Sequence, residues 1–312
     1  SMSKRTRREF LHRLAAAGSA VAASAALPSL LQGAPAGDFR YAICNETFQD
    51  WPLEKACAVA ADCGYRGLEV APFTLANDVR TISAARRAEV RKAAEKAGLE
   101  VIGLHWMLAK TEGYHITSPD VQTRKRTLAY LEELARFCAD LGGKVLVFGS
   151  PQQRNLLPGV DMPQAMQYAT EVFGGLVPTL EKTGTVLALE PLSPKATTFL
   201  GTAAEAAELA TRINSPHCRL HLDCRAMSTE SMPLVEVLRK YRSWLYHFHA
   251  NDPNGQGPGF GELDFVPIFQ TLREIDYRGW VSVEVFDFKP GPEKIARDSM
   301  AYMRKCAAPA AR

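Results

Sequence analysis

The chain has 312 residues, 46% of them hydrophobic and 23% charged, which is typical of a globular protein and argues against a disordered one. Its formal net charge of +3 comes from the N-terminal region. Residues 1–36 hold five basic side chains and one acidic one, which leaves 32 basic and 33 acidic side chains in residues 37–312, a net charge of −1. That balance gives no basic patch, so nucleic acid is not an expected partner.

The N-terminal region has the pattern of a twin-arginine export signal. A twin arginine at positions 7 and 8 is followed by a Phe-Leu pair, an Ala-rich run over 14–31 and Ala34-Pro35-Ala36, an A-x-A cleavage motif. The run carries no charge, which argues against an amphipathic surface helix, and its small residues make it too weakly apolar for a stable membrane anchor. We predict a signal peptide over 1–36, recognised by the twin-arginine export machinery, and a periplasmic mature chain.

Eight short apolar runs follow residue 36, and longer stretches with helical spacing, such as Ser83–Ala97 and Thr123–Leu141, lie between them. The runs are Phe39–Cys44, Arg66–Ala71, Leu99–His105, Lys144–Gly149, Thr185–Glu190, Cys218–Asp223, Leu245–His249 and Trp280–Phe286. Eight strand–helix repeats predict a single-domain (β/α)₈ TIM barrel over residues 37–312. The alternative, an open doubly wound sheet, would need a glycine-rich phosphate turn after an early strand, and the sequence has none.

Seven cysteines lie after residue 36. Their number is odd, they are scattered, and no pair has C-x-x-C spacing, so they predict neither a disulfide framework nor a zinc cluster. We expect most of them to behave as small buried hydrophobic residues.

Polar residues stand at matching positions near the ends of four late strands. In each run the apolar residues alternate with polar or small ones, and successive side chains on a strand point to opposite faces. The apolar set then faces the helices, and the other set faces the barrel axis. Glu190, Asp223, His249 and Glu284 are therefore predicted to converge at the C-terminal rim, where barrels of this kind carry their active sites.

Converging carboxylates in an apolar barrel need a compensating charge, and a divalent cation supplies it. Three carboxylates and one imidazole suit one manganese, magnesium, cobalt or zinc ion, and the oxygen-rich donor set favours the harder ions, manganese first. An isolated Asp or Glu at a strand end is often only a helix cap or an ion-pair partner. Four such residues on consecutive strands favour a metal site.

The landmarks Glu190-Pro191-Leu192, Leu220-His221-Leu222-Asp223, His249-x-x-Asp252, Gly257–Gly261 and Val283-Glu284 occur in this order. Together they resemble the xylose isomerase-like barrel superfamily, which includes ketose 3-epimerases, hydroxypyruvate isomerases, inosose dehydratases and endonuclease IV. The resemblance runs from Phe39 to Cys306. It implies that the four converging residues are the metal ligands and that the two glutamates also act as an acid/base pair.

The sequence departs from the ketose 3-epimerases at three positions. Those enzymes carry a Glu six residues after the first ligand, a His three after the Asp, and an Arg six after the His. This chain has Ala196, Ala226 and Gly255 at those places. These groups grip the carbonyl end of the substrate, so the departures argue against a simple free-ketose epimerase.

Further candidates for substrate binding follow the predicted strands. An imidazole beside an indole suits a sugar ring, and basic side chains suit carbonyl or anionic oxygens. The candidates are His105, Trp106, Glu46, Lys195, Arg225, Asp252 and Arg154. Packing, capping or solvation is the alternative role for each of the aromatic, acidic and basic residues. His247, which shares the inward face with His249 one layer deeper, is expected to support the site or the core.

These features predict a metal-dependent isomerase or epimerase acting on a sugar or keto-sugar through an enediolate, with Glu190 and Glu284 as acid and base. A lyase or dehydratase acting on 3-keto-sugars or inosose is the alternative. A metal-dependent phosphodiester hydrolase would need additional histidines, and a non-catalytic sugar-binding barrel would not need a complete acid/base pair. The sequence leaves open whether the chain forms a homo-oligomer.

We predict that replacing both arginines of the twin pair, Arg7→Lys with Arg8→Lys, keeps the protein in the cytoplasm, because the export machinery reads that pair. The parent chain should be recovered from the periplasm with an N-terminus near Gly37, as N-terminal sequencing of the fraction will show. Normal export of the double variant would contradict the assignment.

Overall fold

Eight parallel strands close into a barrel in the computed structural model, which describes residues 39–309. The predicted export signal over residues 1–36 lies outside the described residues. The strands are β1 Arg40–Cys44, β2 Gly67–Val70, β3 Glu100–Leu104, β4 Val145–Phe148, β5 Val186–Leu189, β6 Cys218–Asp223, β7 Leu245–Ala250 and β8 Trp280–Val283. Strand β1 pairs in parallel with both β2 and β8, so the ring is complete. The predicted single-domain (β/α)₈ barrel is confirmed, and β8 ends three residues earlier than expected.

The α-helices of the described part of the chain lie between the strands and after the last one. They are α1 Leu53–Cys63, α2 Ala84–Lys96, α3 Val121–Asp140, α4 Met162–Thr183, α5 Ala203–Ile213, α6 Cys224–Met227, α7 Leu234–Lys240, α8 Val266–Glu274 and α9 Pro292–Ala307. The helices predicted from apolar spacing over 83–97 and 123–141 are confirmed as α2 and α3, with their ends displaced by one or two residues.

Side-chain caps set where several of these helices begin. The Asp120 carboxylate accepts backbone N–H groups at the start of α3, and Asp161 forms a reciprocal capping box with Gln164 at the start of α4. The Thr202 hydroxyl accepts the backbone N–H of Glu205 at the start of α5. Such caps satisfy N–H groups that have no partner within the helix, and each stabilises a helix by about 1 kcal/mol. They fix where the chain turns from each rim loop into the outer helical layer.

Alternation along the strands separates an outer core from the barrel interior. Leu187 and Leu189 of β5 belong to the large apolar cluster between barrel and helices, whereas Ala188 packs inside the barrel with Val145 and Val147. Ala42, Ile102 and Trp280 form a second small apolar cluster. The predicted inward and outward faces of the strands are confirmed, and the polar side chains of the interior lie between an apolar layer and the C-terminal rim.

The seven cysteines are all buried and free, as the sequence predicted. Within residues 39–309 no helix is both long and apolar enough to cross a membrane.

Glycine lets two strands approach closely at Gly103 of β3. A Cβ atom there would lie 2.1 Å from the Val145 carbonyl oxygen, a contact that no side-chain rotation relieves. We predict that Gly103→Ala lowers the free energy of unfolding by about 1–3 kcal/mol or more. The matched variant Gly174→Ala, within α4 and with nothing near its Cβ, should raise that free energy by about 0.5–1 kcal/mol. Denaturant unfolding of both variants measures the difference, and equal stabilities would contradict the packing argument.

Candidate metal centre and active site

The four predicted ligands meet at the C-terminal rim of the barrel. Glu190 directly follows β5, Asp223 ends β6, His249 is the penultimate residue of β7, and Glu284 directly follows β8. All four side chains are buried. Strand register contributes to the convergence, because Asp223 is paired with His249 across β6 and β7.

Distances within the cluster place His249 among the carboxylates. Its Nδ1 lies 3.0 Å from Glu284 Oε2 and 3.8 Å from Asp223 Oδ2. One donor atom each from Glu190, His221, Asp223 and His249 lies within 4.8 Å of all the others. Such a spacing allows one ion to contact several donors at once.

Neighbouring donors orient two of the carboxylates. The Asn251 amide donates to Asp223 Oδ2 at 2.6 Å, and the backbone N–H of Ala226 donates to Oδ1 at 2.7 Å. The indole N–H of Trp106 donates to Glu284 Oε1 at 2.6 Å. Outer contacts of this kind hold metal-binding carboxylates in place. Trp106 and Glu284 are 178 residues apart in the chain, so sequence patterns could not show this contact.

Mutual repulsion and burial shift the pKa values of these acids. Burial, followed by the charges of Glu284 and Asp223, raises the pKa of Glu190 well above its usual range. Burial likewise raises the pKa of Asp223 to about 6. Burial also acts to raise the pKa of Glu284, but the charges of His249 and His105 and the hydrogen bonds from His249 and Trp106 together outweigh it, and the pKa is lowered. The three groups resist being ionised together, and a cation among them would remove that resistance.

A layer of polar side chains lies beneath the rim. Glu69 on β2 is fully buried, and its carboxylate lies 3.0 Å from His249 Nε2 and 2.9 Å from His247 Nε2. Glu69 therefore orients the His249 ring with Nδ1 toward the rim. His247 supports this arrangement from below, as its position on the inward face of β7 indicated.

The cavity above the cluster has a volume of about 560 Å³, within the range of small-molecule pockets. Both Glu190 and Glu284 line it. The other lining residues are His105, Trp106, Ala109, Lys110, Gly149, Ser150, Pro151, Gln152, Gln153, Leu192, Ala196, Arg225 and Phe286. Lys110, the glutamines and Phe286 were not predicted as site residues, because they lie on loops whose paths sequence periodicity does not define.

Three of the predicted substrate-binding residues line the cavity, and a fourth lies behind it. The Trp106 ring stacks on Phe286 with centroids 6.0 Å apart, and the Arg225 guanidinium lies 4.6 Å from the centre of the Phe286 ring. His105 lines the cavity wall and is buried. Glu46 is not a lining residue; its Oε2 lies 2.7 Å from His105 Nε2 and orients the imidazole.

Arg154 differs from its predicted role in substrate binding. It is fully buried, and its guanidinium donates to the backbone carbonyls of Glu190 and Leu200 at 2.7 Å, Gly149 at 2.9 Å and Phe199 at 3.0 Å. These bonds join the loop after β4 to the loop after β5. The sequence around Arg154 gave no sign that both loops would fold over its side chain.

Two more predicted substrate-binding residues are placed outside the cavity lining. The buried Asp252 carboxylate accepts the backbone N–H groups of Asn254 and Leu263, so it organises the loop after β7. Lys195 is exposed and is not a lining residue. In the glycine-rich loop over Gly257–Gly261, a Cβ at Gly261 would lie 2.1 Å from the Asp252 carboxylate. Gly261 therefore packs against the Asp252 side chain.

Residues 57–306 match the model of the xylose isomerase-like TIM barrel family, and the chain belongs to that family. A probable ketose 3-epimerase of Synechocystis sp. is 26% identical over 233 residues, covering 70% of this chain and 80% of that protein. The 3-dehydro-D-guloside 4-epimerase of Escherichia coli is 28% identical over 255 residues, covering 78% of this chain and 91% of that protein. With relatives of this kind, the chain is an enzyme of the isomerase and epimerase class.

Solved structures agree on the fold. A D-psicose 3-epimerase crystallised in the presence of D-fructose superposes with a TM-score of 0.76 at 21% identity, covering 86% of this chain and 99% of that one. The 3-keto-D-glucoside 4-epimerase of E. coli in its apo form superposes with a TM-score of 0.73 at 24% identity, covering 86% and 100% of the two chains.

We predict that Arg154→Met lowers the free energy of unfolding by about 3–5 kcal/mol, because several buried carbonyl oxygens lose a charged donor at once. Arg225→Met is the matched control, since Arg225 is exposed, and it should change stability by no more than about 0.5 kcal/mol. Denaturant unfolding of the two variants checks both values. A loss below about 1 kcal/mol in Arg154→Met would show that the loops do not depend on the guanidinium.

Proposed function

We propose that this enzyme is a divalent-metal-dependent isomerase or epimerase of a sugar or keto-sugar, with Glu190 and Glu284 as its acid/base pair. The observation that carries the proposal is that both glutamates line one cavity directly above a cluster of metal-type donors. The relatives named for ketose and dehydro-sugar epimerisation support a sugar substrate. The export signal predicted for residues 1–36 supports a periplasmic place of action.

The donor set fits a divalent cation. Glu190, Asp223 and Glu284 would contribute carboxylate oxygens, and His249 would contribute Nδ1, since Glu69 engages its Nε2. This oxygen-rich set favours manganese, with magnesium, cobalt and zinc as alternatives. A bound ion would polarise neighbouring substrate oxygens and so acidify the adjacent carbon.

The protein positions each glutamate for proton transfer. The Trp106 indole N–H fixes Glu284 through Oε1. Glu190 fits against Gly149, where a Cβ atom would lie only 2.4 Å from its Oε2. One glutamate takes the proton from the carbon beside the substrate carbonyl, which leaves an enediolate, and the other donates a proton back. Return of the proton to the opposite face of the same carbon is epimerisation, and return of the proton to the next carbon is isomerisation.

The shape of the cavity supports a keto-sugar that is not gripped as a free ketose. Ala196 lines the wall at the position where ketose 3-epimerases carry a glutamate, so the carbonyl-gripping carboxylate is replaced by space. The stacked rings of Trp106 and Phe286 offer an apolar surface to a sugar face. The same departures favour a second candidate, a lyase acting on 3-keto-sugars or inosose. It would share the first proton abstraction, and the oxygen substituent on the β carbon would then leave as water or an alcohol, with its proton supplied by the other glutamate.

We predict that Glu190→Gln and Glu284→Gln each slow exchange of the substrate α-hydrogen with deuterated water by ~10²- to 10⁴-fold, because the amide keeps the size of the side chain but does not accept the proton. Proton NMR of free ketoses and 3-keto-sugars incubated with each variant measures the exchange. The products separate epimerisation, isomerisation and elimination. Metal analysis of the same samples should show a smaller loss than in Asp223→Ala, which removes a ligand outright.

The control is Glu208→Gln on the exposed face of α5, which should exchange the α-hydrogen at the parent rate. Exchange at the parent rate in both active-site Gln variants would exclude these glutamates as the acid and base, whatever the metal content.

A further inference from the structure

His221 is a buried imidazole without a hydrogen-bond partner. It is 0% exposed, and neither of its ring nitrogens forms a hydrogen bond within the described part of the chain. Its neighbour His247 is paired through Nε2 with Glu69. Buried polar groups are nearly always hydrogen-bonded, and a buried polar group without a partner lowers the free energy of unfolding by about 1–3 kcal/mol. An unpaired imidazole in the middle of a polar cluster therefore points to a partner other than the protein.

The His221 ring lies beside the position that an ion among the rim carboxylates would occupy. His221 precedes Asp223 by two residues on β6, so both side chains point to the barrel interior. Its Nε2 is 3.8 Å from Glu190 Oε1, and its ring stands nearly perpendicular to that of His249 with centroids 4.1 Å apart. One of its nitrogens belongs to the four-donor group whose atoms all lie within 4.8 Å of one another.

We propose that His221 is an additional ligand of the divalent ion, through Nε2; this inference rests on the metal site of the proposed function. The donor set then contains two imidazoles and three carboxylates. A second imidazole strengthens binding of cobalt and zinc more than binding of magnesium or manganese, because nitrogen donors suit the later transition metals. The alternative is that His221 only fills space beside His247, its register partner on β7. In that case an apolar residue of similar size would serve equally well.

The test uses His221→Leu in the full chain, stripped of metal and titrated with Co²⁺. We expect the Kd for Co²⁺ to rise by at least ~10-fold, the scale on which outer-shell contacts already act. The visible absorption of the Co²⁺ protein should change, and its hyperfine-shifted, exchangeable imidazole N–H protons should fall from two to one. Stability of the metal-free variant should be unchanged or higher, since the imidazole has no partner to lose.

His217→Gln is the control. His217 directly precedes β6, and its Nδ1 is hydrogen-bonded to the Thr185 carbonyl, so this substitution should not affect Co²⁺ binding. His221→Gln provides a second variant should the leucine variant fail to fold, and it is expected to weaken binding in the same way. Parent-like Kd and spectra in the His221 variants would overturn this inference alone. A parent protein that binds neither Co²⁺ nor Mn²⁺ would overturn both the inference and the metal site of the proposed function.

Discussion

Three carboxylates enclosed at one end of an apolar barrel repel each other, and much of the surrounding structure compensates for that repulsion. His249 lies against Glu284, while Asp223 receives the Asn251 amide and a backbone N–H group. In the layer beneath, the single carboxylate of Glu69 lies between the imidazoles of His247 and His249. His249 therefore links the two layers, through Nδ1 to Glu284 and through Nε2 to Glu69. A divalent ion at the rim would offset the remaining repulsion among the three carboxylates.

Rigid elements carry the groups that we assign to chemistry, whereas the loops shape the space above them. The acids and His249 stand on or directly beside strands whose positions are fixed by neighbours on both sides, which suits a site that must hold its geometry. The cavity wall includes backbone that is held in the left-handed region, at Trp106 with φ 51° and at Ser150 with φ 38°. Such conformations cost a non-glycine residue of order 1–3 kcal/mol and persist only where the surroundings enforce them. At Trp106 the indole bond to Glu284 is one such enforcing contact.

The barrel and the convergence of Glu190, Asp223, His249 and Glu284 at its rim could be predicted from the sequence, because both depend on a local rule, the two-residue alternation of faces along a strand. Roles that depend on the paths of the loops could not be predicted in this way. Arg154 and Asp252 follow strands and carry charge, which is also true of substrate-binding residues, and only the folded loops show that their partners are backbone groups. His221 illustrates an intermediate case. Its face was predictable, but the lack of a hydrogen-bond partner is a property of the three-dimensional surroundings.

The buried guanidinium of Arg154 has a consequence for how this barrel can change. Rim loops of (β/α)₈ barrels vary widely among relatives, and this variation lets one scaffold support many chemistries. Here the loops after β4 and β5 share one side chain, which also holds the carbonyl of Glu190. Neither loop is an independent module. A graft that imports one of them from a relative would have to bring the arginine and its acceptors together, so evolution of specificity on this side of the rim should proceed by paired replacements.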